Sequence, residues 1–250
     1  SKSYDVDGRT VRILRDINLT VWPEEFVTVL GPSASGKSTL FNIIVGLEEP
    51  DEGAIRLDGE VVEKRTERVA YMPQKDLLLP WRTVLDNVIL GPEIAGMPRE
   101  EAIEQALELI PFFGLDGFEN SYPSTLSGGM RQRAALLRTF LYQKDLLLLD
   151  EPFGALDALT RMELQEWLLS VWERFKHTIL FITHDVDEAI FLSDRVYVMT
   201  PRPGRLHAVV TVDLDRPRRR AMENTSEFIQ LREGLLSILR GNGPCRVTDR

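Results

Sequence analysis

Cysteine is almost missing from this 250-residue chain: Cys245 stands alone, so no intrachain disulfide can form and nothing marks an oxidising compartment. Long apolar runs are missing too. The longest, residues 146–149 and 179–182, fall far short of the ~20 residues of a membrane-spanning helix, so any membrane association has to come through a partner. Ser1 to Asp7 are polar and charged, without the apolar stretch a signal peptide needs. Positive charge is in deficit, with 30 Lys and Arg against 39 Asp and Glu and a formal net charge of −9, which repels phosphate backbones. The one basic cluster, Arg216, Arg218, Arg219 and Arg220 around Pro217, has no interleaved aromatic rings for base stacking. It reads as a solvated linker near the C-terminus, and nucleic acid is not an expected partner. No internal repeat or low-complexity segment is present, and neither Gly nor Pro dominates a stretch, which excludes fibrous and disordered classes.

What is there suits one large α/β domain or two closely joined lobes, with a 43% hydrophobic share to build a core. Residues 11–14 and 17–21 favour strands around the charged pair Arg15 and Asp16 and predict an antiparallel edge. Residues 26–30 are almost continuously apolar, as a strand buried on both faces requires, and a helical pattern follows from Leu40. Asp58-Gly59, between 54–57 and 60–62, is the pair that most readily turns a tight hairpin. Behind Pro98, which suits a first helical turn, Ala102, Ile103, Ala106, Leu107 and Ile110 recur at helical spacing; a small helical lobe is expected over residues 100–123. Further on, a buried strand at 146–149, a core stripe of Leu164, Trp167, Leu168, Val171, Trp172 and Phe175, and a strand at 178–183 alternate. That order implies a parallel sheet, to which 195–199 and 209–212 add strands.

Gly31-Pro32-Ser33-Ala34-Ser35-Gly36-Lys37-Ser38 follows the buried strand and precedes the helix, where a phosphate loop belongs. Glycines let the backbone wrap a phosphate, and successive N–H groups with the helix dipole present positive potential to it. Lys37 would reach the β- and γ-phosphates of a nucleotide, and the Ser38 hydroxyl would bind Mg²⁺. Asp150 and Glu151 close the strand at 146–149, at the end where open α/β sheets bind ligands. Asp150 would hold Mg²⁺, directly or through water, and Glu151 would orient the attacking water. Taken alone, the pair could equally end a strand and open a turn. Leu126-Ser127-Gly128-Gly129-Met130-Arg131-Gln132 opens a helix whose N–H groups and Ser127 hydroxyl suit an anion. This segment is not expected to reach the phosphates held by its own Lys37, so a head-to-tail dimer is implied.

In combination and order these segments resemble the ABC (ATP-binding cassette) ATPase family, over roughly residues 1–207. The resemblance implies a P-loop NTPase core with a mostly parallel sheet, an N-terminal antiparallel β subdomain and a small helical subdomain. It implies ATP and Mg²⁺ as cofactors, and ATP hydrolysis by in-line attack of water. Gln74 looks like the Q-loop glutamine that senses the γ-phosphate and Mg²⁺, and His184 in Phe181-Ile182-Thr183-His184-Asp185 like the switch histidine that positions Glu151. Gly154-Ala155-Leu156-Asp157 resembles the D-loop, whose aspartate joins two monomers, and Tyr4 the aromatic that stacks on adenine, with a loop at 5–9 behind it. The implied nucleotide contacts are Tyr4, Gly31, Ser33, Ser35, Gly36, Lys37, Ser38 and Thr39 from one copy, with Ser127, Gly129 and Asp157 completing a site at a homodimer interface; Ser38, Gln74 and Asp150 are the implied Mg²⁺ set. Two positions depart from the family. Ala34 stands where Gly is usual, and would be strained if its φ is positive; Lys144 replaces a common proline without obvious catalytic meaning.

Leu79-Pro80-Trp81 and Pro201-Arg202-Pro203-Gly204-Arg205 look like the bacterial importers of nitrate, aliphatic sulfonates, taurine and pyrimidine precursors of thiamine. Leu77 to Leu79 and Trp81 would offer an apolar surface to a helix of a membrane subunit; for Trp81 a core position stands as the other reading. The expected assembly is two cassettes on two transmembrane permease subunits, at the cytoplasmic face of the cell membrane, served indirectly by a periplasmic or lipid-anchored solute-binding protein. The expected division is a nucleotide-binding core at 1–97 and 135–215, a signature subdomain at about 98–134 and a tail at 216–250, with no room for a regulatory C-terminal domain. A soluble ABC ATPase acting on DNA or ribosomes would call for a coiled-coil insertion or paired cassettes. A non-catalytic module would not call for Lys37, Asp150, Glu151 and His184 together.

Overall fold

The computed structural model describes residues 1–62 and 64–241; Cys245 and the end of the 216–250 tail lie outside them. In chain order the elements are β1 (Lys2–Val6), β2 (Arg9–Leu14), β3 (Phe26–Leu30), α1 (Lys37–Val45), β4 (Arg56–Leu57), β5 (Glu60–Val61), β6 (Val69–Met72), α2 (Val84–Val88), α3 (Leu90–Ile94), α4 (Arg99–Leu109), α5 (Gly128–Leu141), β7 (Leu146–Asp150), α6 (Ala158–Phe175), β8 (Thr178–Thr183), α7 (Val186–Leu192), β9 (Arg195–Met199), β10 (Leu206–Thr211) and α8 (Ser226–Leu239). No described helix is long and apolar enough to cross a membrane. The chain divides into two units, Ser1–Glu67 with Gln165 onward, and Arg68–Leu164.

In the first unit, β3 lies between β8 and β9 and runs parallel to both, pairing Val29 with Ile182 on one side and with Tyr197 on the other; β10 joins β9 antiparallel. The run Phe-Val-Thr-Val-Leu is buried at all five positions, as its lack of alternation predicts. Its one polar residue, Thr28, shares a hydrogen bond with the buried Ser193 hydroxyl, so no polar group is stranded. Phe26 packs edge-on to Trp172 with ring centroids 6.2 Å apart and against Phe181 at 5.8 Å. Along α6, Leu164, Leu168, Val171 and Trp172 are buried, with Trp167 and Phe175 half-buried. Asp58 (φ 52°) and Gly59 (φ 81°) turn the expected hairpin between β4 and β5.

The edge departs from expectation. Residues 17–21 form no strand; β2 pairs instead with β1 through a tight turn at Asp7 (φ 50°) and Gly8 (φ 74°), so the expected loop at 5–9 shrinks to two residues. Ile17, Leu19 and Val21 do alternate into partial burial. Side chains rather than a ladder satisfy this stretch: Thr20 N–H donates to the Tyr197 hydroxyl at 3.1 Å, and the Thr20 carbonyl accepts from Tyr197 Oη and Arg195 Nη2, each at 2.9 Å.

The basic cluster is not a solvated linker. Arg218 is only 6% exposed; its Nη1 donates to the carbonyls of Ile190 (2.9 Å), Phe191 (3.2 Å) and Ser193 (2.7 Å), and its Nη2 to Val212 (3.3 Å). It thereby caps the carbonyl-bearing end of α7 with a positive charge. Burial, with Arg216 nearby, pulls its pKa down to about 10. Arg216 bonds Asp194 at 2.7 Å and lies 4.0 Å over the Trp172 ring. These contacts answer a need that charge counting does not reveal, namely the unpaired carbonyls where α7 stops.

The second unit carries β6 parallel to the fully buried β7, with Ala70 opposite Leu147 and Met72 opposite Leu149, together with α2 to α5. In α4, Pro98 stands at the N-cap rather than within the first turn, and the buried stripe narrows to Ala102, Ala106 and Ile110, leaving Leu107 exposed. Buried Asn87 on α2 pins the loop after β6. Its Oδ1 accepts from Leu79 N–H at 2.7 Å, and its Nδ2 donates to the carbonyls of Leu79 (3.1 Å), Arg82 (3.1 Å) and Thr83 (2.9 Å).

Candidate nucleotide site

The first unit builds a phosphate loop at the joint of β3 and α1. Gly31 N–H donates to the Thr183 carbonyl at 3.4 Å, tying the start of the loop to the end of β8, one residue before the exposed His184. Gly36 caps α1 with φ 101°, a conformation only glycine adopts without strain. Ala34 has φ 62°, so the departure noted in the sequence does fall on a left-handed position. Lys37 is 5% exposed, and its ammonium turns back into the loop, donating to the Gly31 carbonyl at 2.9 Å and the Pro32 carbonyl at 3.0 Å.

The residues present fit a phosphate. Helix α1 has no side-chain cap and no acidic residue in its first turn, so no side chain of its own competes for its leading N–H groups. The wholly buried Ser35 Oγ has no hydrogen-bond partner among the described residues. Ser33 and Ser38 are exposed at the loop surface. Tyr4 on β1 donates its hydroxyl to the Glu48 carboxylate and touches Thr39 on α1; burial first, then Glu48, raises its pKa.

The second unit gathers the carboxylates. Asp150 ends β7, nearly buried, and Tyr71 Oη donates to its Oδ2 at 3.4 Å. Burial and then the Asp150 charge push the Tyr71 pKa up, so the phenol stays a donor. Tyr71 was not singled out in the sequence; its place three residues before Gln74, on the strand beside β7, is the signal that could have found it. Glu151 follows with φ 44°, a left-handed conformation that costs a non-glycine residue about 1–3 kcal/mol and collects at functional sites. Its carbonyl accepts from Gly154 N–H at 3.1 Å. A β-carbon at Gly154 would stand 3.8 Å from Glu151 Oε2 and 3.9 Å from Gln74 Nε2, so the side chains of Gln74 and Glu151 flank one small residue.

The same unit holds the signature and the D-loop. Ser127 caps α5, its Oγ accepting from Met130 N–H at 3.2 Å. A β-carbon at Gly129 would come 3.0 Å from Thr160 Cγ2, so glycine there permits close packing on α6. Asp157 Oδ1 accepts from the N–H groups of Leu159 and Thr160, each at 3.1 Å, and the Thr160 bond first among several holds its pKa below the ordinary value.

Helix α5 also grips the loop that carries Gln74. Arg138 donates to the Leu77 carbonyl at 2.7 Å and the Asp76 carbonyl at 2.5 Å, and Arg131 pairs with the Asp76 carboxylate at 3.3 Å. Burial lowers the Arg138 pKa. Arg138 was not read as part of the site, and Arg131 only as a member of the signature segment. Beyond this loop the expected apolar surface is only partly as anticipated: Leu77 is 57% and Trp81 72% exposed, so Trp81 is not core, whereas Leu78 is 8% exposed and packs inward. Among the described residues no cluster of three His, Cys, Asp or Glu side chains could hold a metal by itself.

The family model for the ABC transporter matches residues 14–154. The chain belongs to the ABC transporter family. It is an ATP-binding and ATP-hydrolysing cassette. Three relatives cover most of it. It is 48% identical over 240 residues to an uncharacterised ABC transporter ATP-binding protein of Methanocaldococcus jannaschii, covering 96% of this cassette and 89% of the relative. It is 46% identical to the formylaminopyrimidine import ATP-binding protein ThiZ of Halalkalibacterium halodurans, covering 91% and 88%. It is 44% identical to the aliphatic sulfonates import ATP-binding protein SsuB of Bacillus cereus, covering 91% and 90%. Among solved structures it is similar to a dimeric post-hydrolysis state of an ATP-binding cassette bound to ADP and Pi, with TM-score 0.74 and 30% identity over 86% of this chain and 97% of that one.

Proposed function

We propose that this cassette powers uptake of a small solute by an ABC importer, in the group that serves nitrate, sulfonates, taurine or pyrimidines. Two copies sandwich two ATP. The phosphates lie on the loop of Gly31, Ser33, Ser35, Gly36, Lys37, Ser38 and Thr39, with Tyr4 against adenine, while Ser127, Gly129 and Asp157 of the other copy close over them. Ser38, Asp150 and Gln74 would hold Mg²⁺, which would neutralise charge developing on the γ-phosphate. Glu151 orients and polarises the attacking water, His184 contacts the γ-phosphate and positions Glu151, and Lys37 offsets phosphate charge. The core is residues 1–97 and 135–215, the signature subdomain about 98–134, and the tail 216 onward.

The exposed Leu77 and Trp81, just beyond Gln74, suit a short helix from a transmembrane permease, which would keep the cassette at the cytoplasmic membrane face and place a solute-binding protein one step further away. The observation that carries the reading is the buried Lys37 turned onto the Gly31 and Pro32 carbonyls at an uncapped helix start, a cation placed where a phosphate is otherwise held by backbone alone.

The Glu151→Gln variant tests it. The cassette, with its permease partners supplied, should still bind MgATP and accumulate as a closed dimer, while turnover falls by about 100-fold or more, the scale of a lost general base. Turnover like that of the parent would remove Glu151 from its assigned role, and a population of monomers alone would leave the signature with no site to complete.

A further inference from the structure

The turn between β9 and β10 is built around Thr200 and Gly204. Thr200 N–H donates to the Arg205 carbonyl at 2.9 Å, Arg205 N–H returns to Thr200 Oγ1 at 3.0 Å, and Thr200 Oγ1 donates to the Pro203 carbonyl at 3.4 Å. Gly204 is then fastened to the β2 end by both backbone groups, donating to the Ile13 carbonyl at 2.8 Å while its own carbonyl accepts from Arg15 N–H at 2.9 Å. Its φ lies outside the left-handed region, so conformational freedom does not call for glycine here. Space does. A β-carbon at 204 would overlap the Ser35 backbone carbonyl oxygen and Met199 Cε, both well inside the 3.0 Å that real β-carbons keep.

Of these two neighbours, the methionine terminus can swing away, but the Ser35 carbonyl belongs to the phosphate loop itself. The glycines at both ends of that loop are closely packed as well. A β-carbon on Gly36 would meet Leu14 Cδ2 at 2.8 Å and Ile13 Cγ2 at 3.1 Å, and one on Gly31 would meet Met199 Cβ at 3.0 Å. The loop is therefore seated against the β2 end and the 199–204 backbone, which are bonded to each other, with little room to yield toward them. Any displacement of the Ser35 carbonyl passes to the Ser35–Gly36 peptide and so to the N–H groups that lead into α1.

We propose that Gly204 is a positioning residue for the phosphate loop, and that the 200–205 turn is the abutment that fixes the Ser35 carbonyl and, through it, the donors that hold phosphate. This rests on the nucleotide reading above. Gly204 touches no phosphate; it acts through Ser35.

The test is MgATP binding by the full chain, measured by titration that returns both Kd and the bound fraction, for the parent, Gly204→Ala, Thr200→Val and Gly234→Ala. Gly234 lies in α8 with nothing within 4 Å of a β-carbon and φ outside the left-handed region, so it controls for glycine replacement itself. The expected result is a Kd about 10-fold weaker for Gly204→Ala at full bound fraction. For Thr200→Val, which loosens the turn without a clash, about 3-fold is expected. Gly234→Ala should match the parent. A merely structural Gly204 would lower the melting temperature and the bound fraction and leave Kd unchanged, which overturns the proposal. If Gly204→Ala does not fold, Thr200→Val decides: parent-like Kd overturns the proposal and a weakened one supports it. A parent that binds no MgATP would instead fell the nucleotide reading.

Discussion

Replacing Ala34 by glycine should stabilise the cassette slightly and leave its affinity for ATP alone. At φ 62° the alanine β-carbon crowds the following carbonyl, at about 1 kcal/mol relative to glycine. Glycine gives back about 0.5 kcal/mol through the extra freedom of its unfolded chain, so the net gain is about 0.5 kcal/mol. For a chain of 250 residues that is a rise in melting temperature of about 1–2 °C. Ala34→Val runs the other way, because a branched β-carbon fits the left-handed region worse, and should lower melting by about 3 °C or more. Thermal unfolding followed with and without MgATP checks both. The nucleotide-induced shift should be equal in Ala34→Gly and parent, because the residue is exposed and the loop keeps its path. A lower melting temperature for Ala34→Gly, or a raised one for Ala34→Val, would refute the left-handed strain argument; an ATP Kd changed beyond about 3-fold would refute the claim that the strain is independent of binding.

Arg138→Met should leave the Asp76 and Leu77 carbonyls without their donor, at about 0.5–1.5 kcal/mol per bond, and free the loop that carries Gln74. Steady-state ATPase assays should show kcat reduced with ATP affinity nearly unchanged, and Arg138→Lys should fall between; an unchanged kcat removes Arg138 from any role in placing Gln74. Arg218→Met should strip the α7 end of a charged donor shared by several carbonyls, costing about 3 kcal/mol and lowering the melting temperature by about 8 °C. Melting within about 2 °C of the parent would mean that water or another donor replaces it.

Much of this architecture was legible because burial leaves a mark in composition. Residues 26–30 and 146–149 have no polar alternation, so they had to be strands covered on both faces, and both are. Asp58-Gly59 turns where it should, because few other pairs take two positive φ angles cheaply. The phosphate loop, Asp150, Glu151 and the signature were readable for a related reason: each puts a chemically specific residue at the end of an element, where backbone donors are already exposed. Residues 17–21 misled because period-two burial reports which side chains turn inward, not which groups satisfy the backbone. Here Tyr197 and Arg195, distant in sequence, take the place of a paired strand. Trp81 keeps its expected place on the surface, but Leu78 turns inward, because the Asn87 staple, not hydrophobicity, sets the path of that loop.

Three residues whose roles the sequence did not reveal share one physical habit. Arg138, Arg218 and Gly204 act on backbone oxygens, the first two by donating to them and the third by making room for one. A carbonyl has no residue type, so its partner carries no signature that composition or spacing can expose; an arginine reads as surface charge and a glycine as a turn. Such contacts fix where a loop's backbone lies, and in a site assembled from loops that position decides how N–H groups and side chains meet a phosphate. The consequence is separable in measurement. A change behind the phosphate loop should appear in ATP affinity, and one behind the loop of Gln74 in the rate of hydrolysis, although none of the altered side chains touches the nucleotide. If Gly204→Ala and Arg138→Met instead damaged both quantities in equal proportion, the two loops would have to be responding as one through the stability of the whole chain, and their separate seating would count for nothing.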